Sequence, residues 1–277
     1  MLMKTWLITG ASTGFGRQLA ETVLKYGDQC VLTARKPEQL DDLVSIFGHL
    51  AIAVPMDVTQ PAQITAAIAA GRERFGTIDV MVNNAGYGLL AALEETDDVR
   101  LAKNLETNLI GPLRVMQAVI PMMREQKRGH IINMSAAAAF GNYPGFAVYG
   151  AAKAGLEAAS EAVAGECASF GIKVTVVVPG PFRTDFIARS LDVAPRLPDY
   201  TNTVGKFETI LTRINGKQPG DPLKAAEAIY QIAGAEKPPF RLVLGRYAYD
   251  KFDKKLKALG AELEAWRSVG LPTDYPT

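Results

Sequence analysis

Tyr149 and Lys153 stand four residues apart, a spacing that places two side chains on the same face of a helix. A free tyrosine titrates near ~10, and a neighbouring ammonium stabilises the phenolate. The pair predicts a tyrosine whose pKa is lowered by Lys153 and which exchanges a proton with a bound oxygen. Ser135, at the end of an apolar segment, adds a hydroxyl that can hydrogen-bond the same oxygen. Tyrosine and lysine also meet at this spacing by chance, so the assignment depends on the rest of the chain.

A glycine-rich turn near the start of the chain has the sequence T-G-A-S-T-G-F-G over residues 9–16. A short apolar strand over residues 4–9 leads into it, and residues 17–24 repeat apolar side chains at the spacing of a buried helix face. Strand, glycine turn and helix together aim backbone N–H groups and the positive end of a helix at a pyrophosphate. The alternative is a glycine turn without a ligand. The glycines that permit the turn and the close contacts are Gly10, Gly14 and Gly16.

These motifs continue along the first two-thirds of the chain in an order that resembles the short-chain dehydrogenase/reductase family, in its short, single-domain form. The resemblance implies a Rossmann-type, doubly wound α/β fold with a mostly parallel seven-stranded sheet, helices on both faces and the cofactor across the carboxyl ends of the strands. The matching segments are T-G-A-S-T-G-F-G, Asp57-Val58, Asn83-Asn84-Ala85-Gly86, Asn108 in E-T-N-L-I-G, Ser135 in I-I-N-M-S, Y-G-A-A-K from Tyr149 to Lys153, and Pro179-Gly180.

The resemblance implies four catalytic residues with separate roles. Tyr149 gives a proton to the carbonyl oxygen during reduction, and Lys153 depresses the tyrosine pKa and holds the nicotinamide ribose. Ser135 hydrogen-bonds the substrate oxygen. Asn108 holds a water that links Lys153 to solvent. Taken alone, Asn108 would be read as an exposed residue in mid-helix, where asparagine is a poor helix former.

The cofactor is expected to bind along the glycine turn and the ends of the following strands. Asp57 and Val58 are expected to hold the adenine, and Asn84, Ala85 and Gly86 to pack beside the adenosine half. Pro179 and Gly180 border the nicotinamide in this interpretation. The complete expected set is Gly10, Ser12, Thr13, Gly14, Phe15, Gly16, Arg35, Asp57, Val58, Asn84, Ala85, Gly86, Tyr149, Lys153, Pro179, Gly180 and Thr184.

The end of the second strand, V-L-T-A-R-K, indicates which nicotinamide cofactor is preferred. Enzymes that select NAD usually place a carboxylate there for the adenosine ribose hydroxyls. This chain has Ala34, followed by Arg35, whose guanidinium can bind a 2′-phosphate through paired hydrogen bonds. Thr13 can add a hydroxyl contact. The sequence therefore favours NADP(H) and leaves NAD(H) possible; the alternative is a solvated basic turn without a ligand.

Seven apolar segments alternate with helical patterns, which is typical of a parallel sheet covered on both faces. No composition shift marks a boundary, so residues 1–277 are expected to form one domain. Two long helices are predicted over residues 97–123 and 151–170, and Asp221-Pro222 is a signature of a helix start. The predicted strands cover residues 6–9, 30–34, 51–55, 80–83, 130–134, 173–178 and 241–244.

The long, mixed segment over residues 181–220 is expected to form a substrate lid. Aromatic and aliphatic side chains near Tyr149 favour an apolar or aromatic ketone or alcohol over a sugar, and the chain is most similar to family members that act on steroids, retinoids or other hydrophobic carbonyls. Each side chain could equally serve ordinary packing. The residues expected to line the substrate pocket are Tyr143, Phe146, Phe182, Phe186 and Ile187.

The end of the chain carries a polar helix over about residues 247–268 with a narrow apolar stripe. The stripe is expected to dock on its own subunit; the alternative is that it joins or blocks a subunit interface. The family commonly forms dimers and tetramers, so a homo-oligomer is expected. The stripe consists of Tyr249, Phe252, Leu256, Leu259, Leu263 and Trp266.

Composition narrows the class of partner. The net charge of +1, with 21% charged residues and no basic run, argues against nucleic acid. No apolar stretch is long enough to span a bilayer, and the isolated histidines form no metal site. Cys30 and Cys167 are expected to be buried thiols, which fits the reducing cytoplasm.

Two classes of function follow. One is an NADP(H)-dependent carbonyl reductase or alcohol dehydrogenase, and the other is a sensor that binds NADP(H) without turnover. The set of Asn108, Ser135, Tyr149 and Lys153 favours the enzyme, since a sensor does not need it.

Overall fold

A seven-stranded parallel sheet forms the centre of the molecule. The computed structural model describes residues 3–275. The strands of the sheet are β1 (Thr5–Ile8), β2 (Gln29–Ala34), β3 (Ala51–Pro55), β4 (Val80–Asn83), β6 (Gly129–Met134), β7 (Ile172–Pro179) and β9 (Arg241–Leu244). Their order is β3-β2-β1-β4-β6-β7-β9, with every neighbouring pair parallel. The predicted seven-stranded Rossmann-type fold is confirmed, and each predicted strand lies within two residues of its observed bounds.

A second, two-stranded parallel sheet was not predicted. It pairs β5 (Gly88–Leu90) with β8 (Leu191–Val193). Both strands are only three residues long, and their pairing connects segments about a hundred residues apart, so local periodicity gives no signal for them.

Helices cover both faces of the central sheet. Side chains of β1 alternate between the faces: Trp6 and Ile8 join one core cluster, whereas Leu7 joins the other. The helices are α1 (Gly14–Lys25), α2 (Asp41–Phe47), α3 (Pro61–Phe75), α4 (Asp98–Leu105), α5 (Gly111–Gln126), α6 (Ala137–Phe140), α7 (Ala147–Cys167), α8 (Phe186–Arg189), α9 (Lys206–Ile214), α10 (Pro222–Gly234), α11 (Arg246–Ala265) and α12 (Arg267–Gly270).

The helix predicted over residues 97–123 is interrupted by a π-turn at Glu106–Ile110, between α4 and α5. Such turns are often found at functional sites, and this one contains Asn108. The predicted start of α10 is confirmed, because the Asp221 carboxylate accepts a hydrogen bond of 2.9 Å from the backbone N–H of Leu223 and Pro222 occupies the first turn.

The segment over residues 181–220 folds back over the carboxyl ends of the strands. It contains α8, β8 and α9, and Arg196 within it bonds Glu95 and Glu208. The Glu95 side chain is fully buried, so the Arg196–Glu95 ion pair holds this segment against the rest of the molecule.

Helix α11 docks on its own subunit only at its beginning. Phe252 stacks on Phe140 with ring centroids 4.1 Å apart, and Ala248 is fully buried. Farther along the helix, Leu256, Leu263 and Trp266 are 55%, 73% and 66% exposed. Tyr249, before Phe252, is also 56% exposed, and Leu259 is half-buried. The expected docking of the whole stripe on its own subunit is therefore wrong.

Cys30 and Cys167 are buried free thiols. Within residues 3–275, no helix has the length and apolar character needed to cross a membrane. The same residues contain no group of three or more His, Cys, Asp or Glu side chains arranged to hold a metal ion.

Candidate active site

One large cavity runs along the carboxyl ends of the central strands. Its volume is about 1120 Å³, which exceeds the ~300–1,000 Å³ of an ordinary small-molecule pocket. The glycine turn and Arg35 line one half, whereas Tyr149 and the segment over residues 181–220 line the other. The cavity thus joins a candidate cofactor region to a candidate substrate region, and every residue predicted for either lies at its wall except Gly16, which packs behind the turn.

The glycine turn leaves no room for side chains at two of its positions. A Cβ on Gly16 would lie 2.3 Å from the Gly10 carbonyl oxygen and 2.4 Å from Nδ2 of Asn84. Gly10 has a φ of +64°, and a Cβ there would lie 3.0 Å from Cα of Ala85. The turn is therefore packed closely against the loop that follows β4, and its outer side is left for a ligand.

Thr9 and Asn84 hold that packing in place. The Thr9 hydroxyl oxygen accepts hydrogen bonds from the backbone N–H groups of Asn84 and Ala85, at 2.8 and 2.9 Å. The Asn84 amide donates in turn to the carbonyl oxygens of Thr9 and Gly10. Asn84 therefore shapes the candidate cofactor site through its side chain, and both hydrogens of its amide are used within the protein.

The N-terminus of α1 opens onto the cavity. Thr13 is its N-cap, with an extended backbone and no side-chain cap hydrogen bond, and the first turn carries no acidic residue. Ser12, Thr13, Gly14 and Phe15 line the cavity at this point. Thr184 approaches from the opposite side, 3.7 Å from where a Cβ on Gly14 would lie. Uncapped N–H groups at such a helix end are suited to an anion.

Arg35 differs from its basic neighbour Arg17. Arg17 is held by Glu21 and Asp42, whereas Arg35 is exposed at the cavity wall and, within residues 3–275, takes part in no ion pair or side-chain hydrogen bond. Ala34 before it is buried. Its guanidinium is therefore free to bind an anionic group at this end of the cavity.

Asp57 and Val58 lie beyond β3 at the same end of the cavity. One Asp57 oxygen accepts hydrogen bonds from the backbone and hydroxyl of Thr59, at 2.9 and 2.8 Å. That contact fixes the carboxylate. Its second oxygen takes no hydrogen bond from residues 3–275 and can accept one from a ligand.

Tyr149 and Lys153 lie on one face of α7, as their spacing predicts, and are only 6% and 5% exposed. The Lys153 ammonium donates a hydrogen bond of 2.9 Å to the Met134 carbonyl oxygen and lies 6.0 Å from the centroid of the Tyr149 ring. Burial lowers the pKa of Lys153 to about 8. Burial also raises the pKa of Tyr149 above its ordinary value. In the protein alone the pKa of Tyr149 is thus raised, opposite in direction to the lowering expected from Lys153, because burial disfavours the phenolate.

Asn108 is buried in the π-turn. Its amide donates to the carbonyl oxygens of Tyr87 and Asn104, at 2.9 and 3.1 Å, and its Oδ1 accepts from the backbone N–H of Tyr87. A Cβ on Gly86 would lie 2.5 Å from Asn108 Oδ1 and 3.5 Å from Lys153 Nζ. Asn108 is thus close to Lys153, but its donors already hold the π-turn and the loop after β4. The exposed position that the sequence alone suggested is wrong.

Ser135 lies at the end of β6, but its hydroxyl is turned into α7. It donates a hydrogen bond of 2.7 Å to Oε1 of Glu157, whose other oxygen accepts a bond of 2.9 Å from Arg241. A serine hydroxyl has one hydrogen, so Ser135 in this arrangement has no donor left for a substrate oxygen. This opposes the role expected for Ser135. The next residue, Ala136, packs against the apolar cluster that contains Tyr149.

That apolar cluster forms the candidate substrate region. Phe146 and Phe186 lie with ring centroids 5.2 and 5.9 Å from that of Tyr149, and Tyr143 contacts Phe146 edge-on. These three predicted pocket residues lie together, and Ile187 lines the cavity nearby. Phe182 does not join them: its ring lies 5.2 Å from that of Phe15, on the candidate cofactor side.

Sequence reasoning missed several residues of this region. Phe207, on α9, stacks on Tyr143 with ring centroids 4.8 Å apart, and no local pattern connects it with α7. Glu157 did carry a signal, since it lies four residues after Lys153 on the same helix face. Other missed wall residues include Tyr87, Ala136, Leu191, Ile210, Leu211 and Tyr247.

Comparison with known proteins agrees with the motifs and the fold. The family model for short chain dehydrogenases matches residues 4–192, which is more than half of the chain. Oxidoreductase BOA17 of Botryotinia fuckeliana is 40% identical over 271 residues, covering 98% of this chain and 99% of that protein. A 3-ketodihydrosphingosine reductase of Bacteroides thetaiotaomicron is 33% identical over 241 residues, covering 86% and 87%.

Solved structures show the same architecture. A short-chain dehydrogenase from Streptomyces avermitilis superposes with a TM-score of 0.93 at 41% identity, covering 99% of this chain and 100% of that one. A short-chain dehydrogenase/reductase from Burkholderia phymatum, solved in complex with NAD, gives a TM-score of 0.80 at 23% identity, covering 99% and 98%, and is similar in fold alone. The chain belongs to the short-chain dehydrogenase/reductase family of oxidoreductases.

Proposed function

We propose that this protein is an NADP(H)-dependent oxidoreductase that interconverts a hydrophobic ketone or aldehyde with its alcohol, using Tyr149 as the acid and base. The observation that carries the proposal is the buried Tyr149–Lys153 pair at the meeting point of an apolar pocket and a glycine-lined cavity. Carbonyl reduction needs a proton donor at the point where a carbonyl bound in the apolar pocket meets the hydride donor bound in the glycine-lined half of the cavity.

The glycine-lined half fits a dinucleotide. A Cβ at Gly16 would overlap the turn itself, and the uncapped N–H groups at the start of α1 suit a pyrophosphate. The residues proposed to hold the cofactor are those predicted from the sequence, with Asn84 acting by shaping the glycine turn and Gly16 by letting α1 pack behind it.

The free guanidinium of Arg35 supports NADP(H) over NAD(H). A 2′-phosphate would meet Arg35 and no carboxylate at the end of β2, since Ala34 stands there. The Burkholderia phymatum structure contains NAD, so a direct comparison of the two cofactors is the test of this preference.

When bound, the nicotinamide supplies the hydride. Tyr149 Oη donates the proton to the carbonyl oxygen as that oxygen gains negative charge, and takes it back when an alcohol is oxidised. A tyrosine titrates near ~10, so the Tyr149 phenol carries its proton at neutral pH and can donate it in the reduction direction.

Lys153 stabilises the charge that develops during this transfer. Its ammonium is fixed on the Met134 carbonyl oxygen close to the tyrosine ring, so it favours both the phenolate left on Tyr149 and the ribose hydroxyls of a bound nicotinamide. Asn108 maintains the π-turn next to this ammonium. Asn108 and Ser135 both line the cavity, but their donors are used within the protein, so in this proposal they position Lys153 and α7 and do not donate to the substrate.

The aromatic walls support a hydrophobic substrate. Phe146, Phe186 and Phe207 surround the approach to Tyr149, and an apolar pocket favours apolar bodies over sugars. The name of the Bacteroides thetaiotaomicron relative describes a reductase of a ketone, which agrees with this class. We also propose that residues 181–220 act as the substrate lid of a single domain, that the protein is a homo-oligomer, and, from its free thiols, that it is cytoplasmic.

The test follows the oxidation of NADPH and NADH in the presence of long-chain, steroidal, retinoid and aryl ketones. The proposal expects turnover with at least one hydrophobic class and a higher kcat/KM with NADPH. Binding of NADPH, measured by fluorescence, without turnover of any ketone or alcohol would support the sensor instead.

A further inference from the structure

Within residues 3–275, the end of α11 extends away from the rest of the molecule and packs against no other element. The helix runs from Arg246 to Ala265, and contacts with the body end near Phe252. We call residues 253–266 the α11 arm. It is about 20 Å long, and all its residues are exposed except Leu259, which is half-buried.

An unsupported helix of this length is only marginally stable in water, because helices in proteins gain most of their stability from packing one apolar face. The arm has such a face, and nothing within residues 3–275 covers it. Leu256, Leu263 and Trp266 are each more than half exposed.

The spacing on this face is that of a two-stranded coiled coil. The apolar residues alternate three- and four-residue steps, which makes them the a and d positions of successive heptads. This narrow seam suits another helix better than a broad surface. Its members are Tyr249, Phe252, Leu256, Leu259, Leu263 and Trp266.

The charges of the arm favour a protein partner over a membrane. An interfacial helix carries mostly Lys and Arg on its polar face. Here acidic and basic residues are interleaved, and the arm and the turn before it contain Asp250, Asp253, Glu262 and Glu264 among their lysines.

The charges beside the apolar seam are complementary to those of a second copy of the arm that runs in the opposite direction. With Leu256 and Leu263 at a positions, Lys255 and Glu262 occupy the g positions that precede them. In an antiparallel pair, g positions face g positions. If Leu256 packs on Leu259 of the other copy, then Lys255 faces Glu262 of the other copy, and the two-fold axis repeats this opposite-charge pair. Tyr249 and Trp266 meet at each end in the same register. In a parallel pair, the globular parts of both copies would lie at the same end of the helix pair, and Lys255 would face Gly260 of the other copy and not a charged residue.

We propose that the α11 arm binds the same arm of a second copy of this chain as an antiparallel helix pair, with a two-fold axis between residues 257 and 258. The arm then forms a subunit interface separate from the candidate active site.

The first test compares the molar mass of the full chain by light scattering for wild type, Leu256→Glu and Ala261→Glu. Leu256 lies in the seam, whereas Ala261 is exposed at an f position on the opposite side. Leu256→Glu is expected to halve the mass, and the matched control Ala261→Glu to leave it unchanged. Circular dichroism and thermal melting verify that each variant folds.

Equal masses for wild type and Leu256→Glu would overturn the proposal. A monomeric wild type would overturn it as well. In that case co-sedimentation with vesicles of phosphatidylcholine and phosphatidylserine would assign the arm to a membrane surface.

The second test addresses the direction of the pair. Glu262→Lys places two lysines face to face at both symmetric contacts and is expected to raise the dissociation constant about tenfold or more. The charge swap Lys255→Glu/Glu262→Lys restores opposite charges only in the antiparallel register. Failure of the double variant to recover the dissociation constant would overturn the antiparallel arrangement.

Discussion

Ser135 donates its only hydroxyl hydrogen to Oε1 of the buried Glu157, at 2.7 Å. Arg241 holds the other Glu157 oxygen at 2.9 Å, so the carboxylate is fixed from both sides. The Ser135–Glu157 hydrogen bond thus connects the end of β6 to α7, one helical turn after Lys153. It helps to position the helix that carries Tyr149.

Ser135→Ala is therefore expected to affect stability more than chemistry. A hydrogen bond to a charged group contributes about 1.5–3 kcal/mol, so the melting temperature should fall. The kcat for a hydrophobic ketone should change less than about tenfold, whereas removal of an oxyanion donor typically costs about 10²–10³. Steady-state kinetics and thermal unfolding measure both. A hundredfold loss of kcat at an unchanged melting temperature would indicate that Ser135 hydrogen-bonds the substrate oxygen after all.

Ala136→Ser is the complementary variant. Ala136 is half-buried, lines the cavity and packs against the Tyr149 cluster. In the proposed mechanism, a hydroxyl at this position would give the substrate oxygen a second donor beside Tyr149. We expect kcat/KM for ketone reduction to rise by roughly tenfold. A value equal to or below that of wild type would show that position 136 does not face the reacting oxygen.

Arg35→Ser tests the cofactor preference. Loss of charge-assisted hydrogen bonds to a 2′-phosphate, at about 1.5–3 kcal/mol, should lower kcat/KM with NADPH by roughly ten- to a hundredfold and leave NADH nearly unaffected. Lys25→Ser is the matched control, because Lys25 is a basic residue 63% exposed at the far end of α1. Arg35 does not set the cofactor preference if both variants keep the wild-type ratio of kcat/KM with NADPH to kcat/KM with NADH.

The features that the sequence predicts correctly are those set by the pattern of neighbouring residues. Each central strand is a nearly continuous apolar run, and the glycine turn is marked by residues whose missing side chains the packing requires. Tyr149 and Lys153 shared a face because both lie on the regular helix α7.

The parts that could not be predicted depend on contacts between distant segments. Ser135 lines the cavity, yet its hydroxyl donates to Glu157 on α7, and the sequence pattern of β6 gives no sign of that partner. The partner of that hydroxyl, Glu157, is itself oriented by Arg241 on β9. Phe207 reaches Tyr143 because the segment after β7 folds back over the cavity, and the π-turn at Asn108 is built by backbone groups of the loop after β4.

The pH profile of reduction tests the role of Lys153. Burial lowers the pKa of Lys153 to about 8, so its ammonium is fully present below that pH and is lost as the pH rises through it. If the ammonium stabilises the phenolate left on Tyr149, as proposed, kcat/KM for ketone reduction should fall above about pH 8. Measurement between pH 6 and 10 with saturating NADPH shows the transition. A flat profile across this range would contradict the proposed role.

The central claim, that Tyr149 moves the proton in carbonyl reduction, is tested most directly by Tyr149→Phe. The variant keeps the ring that contacts Phe146 and Phe186 and removes only the hydroxyl. Titration of NADPH fluorescence should give a dissociation constant within about threefold of wild type, while kcat for the best hydrophobic ketone falls by about 10²–10⁴. Retention of more than a tenth of the wild-type kcat, with NADPH binding intact, would contradict the account.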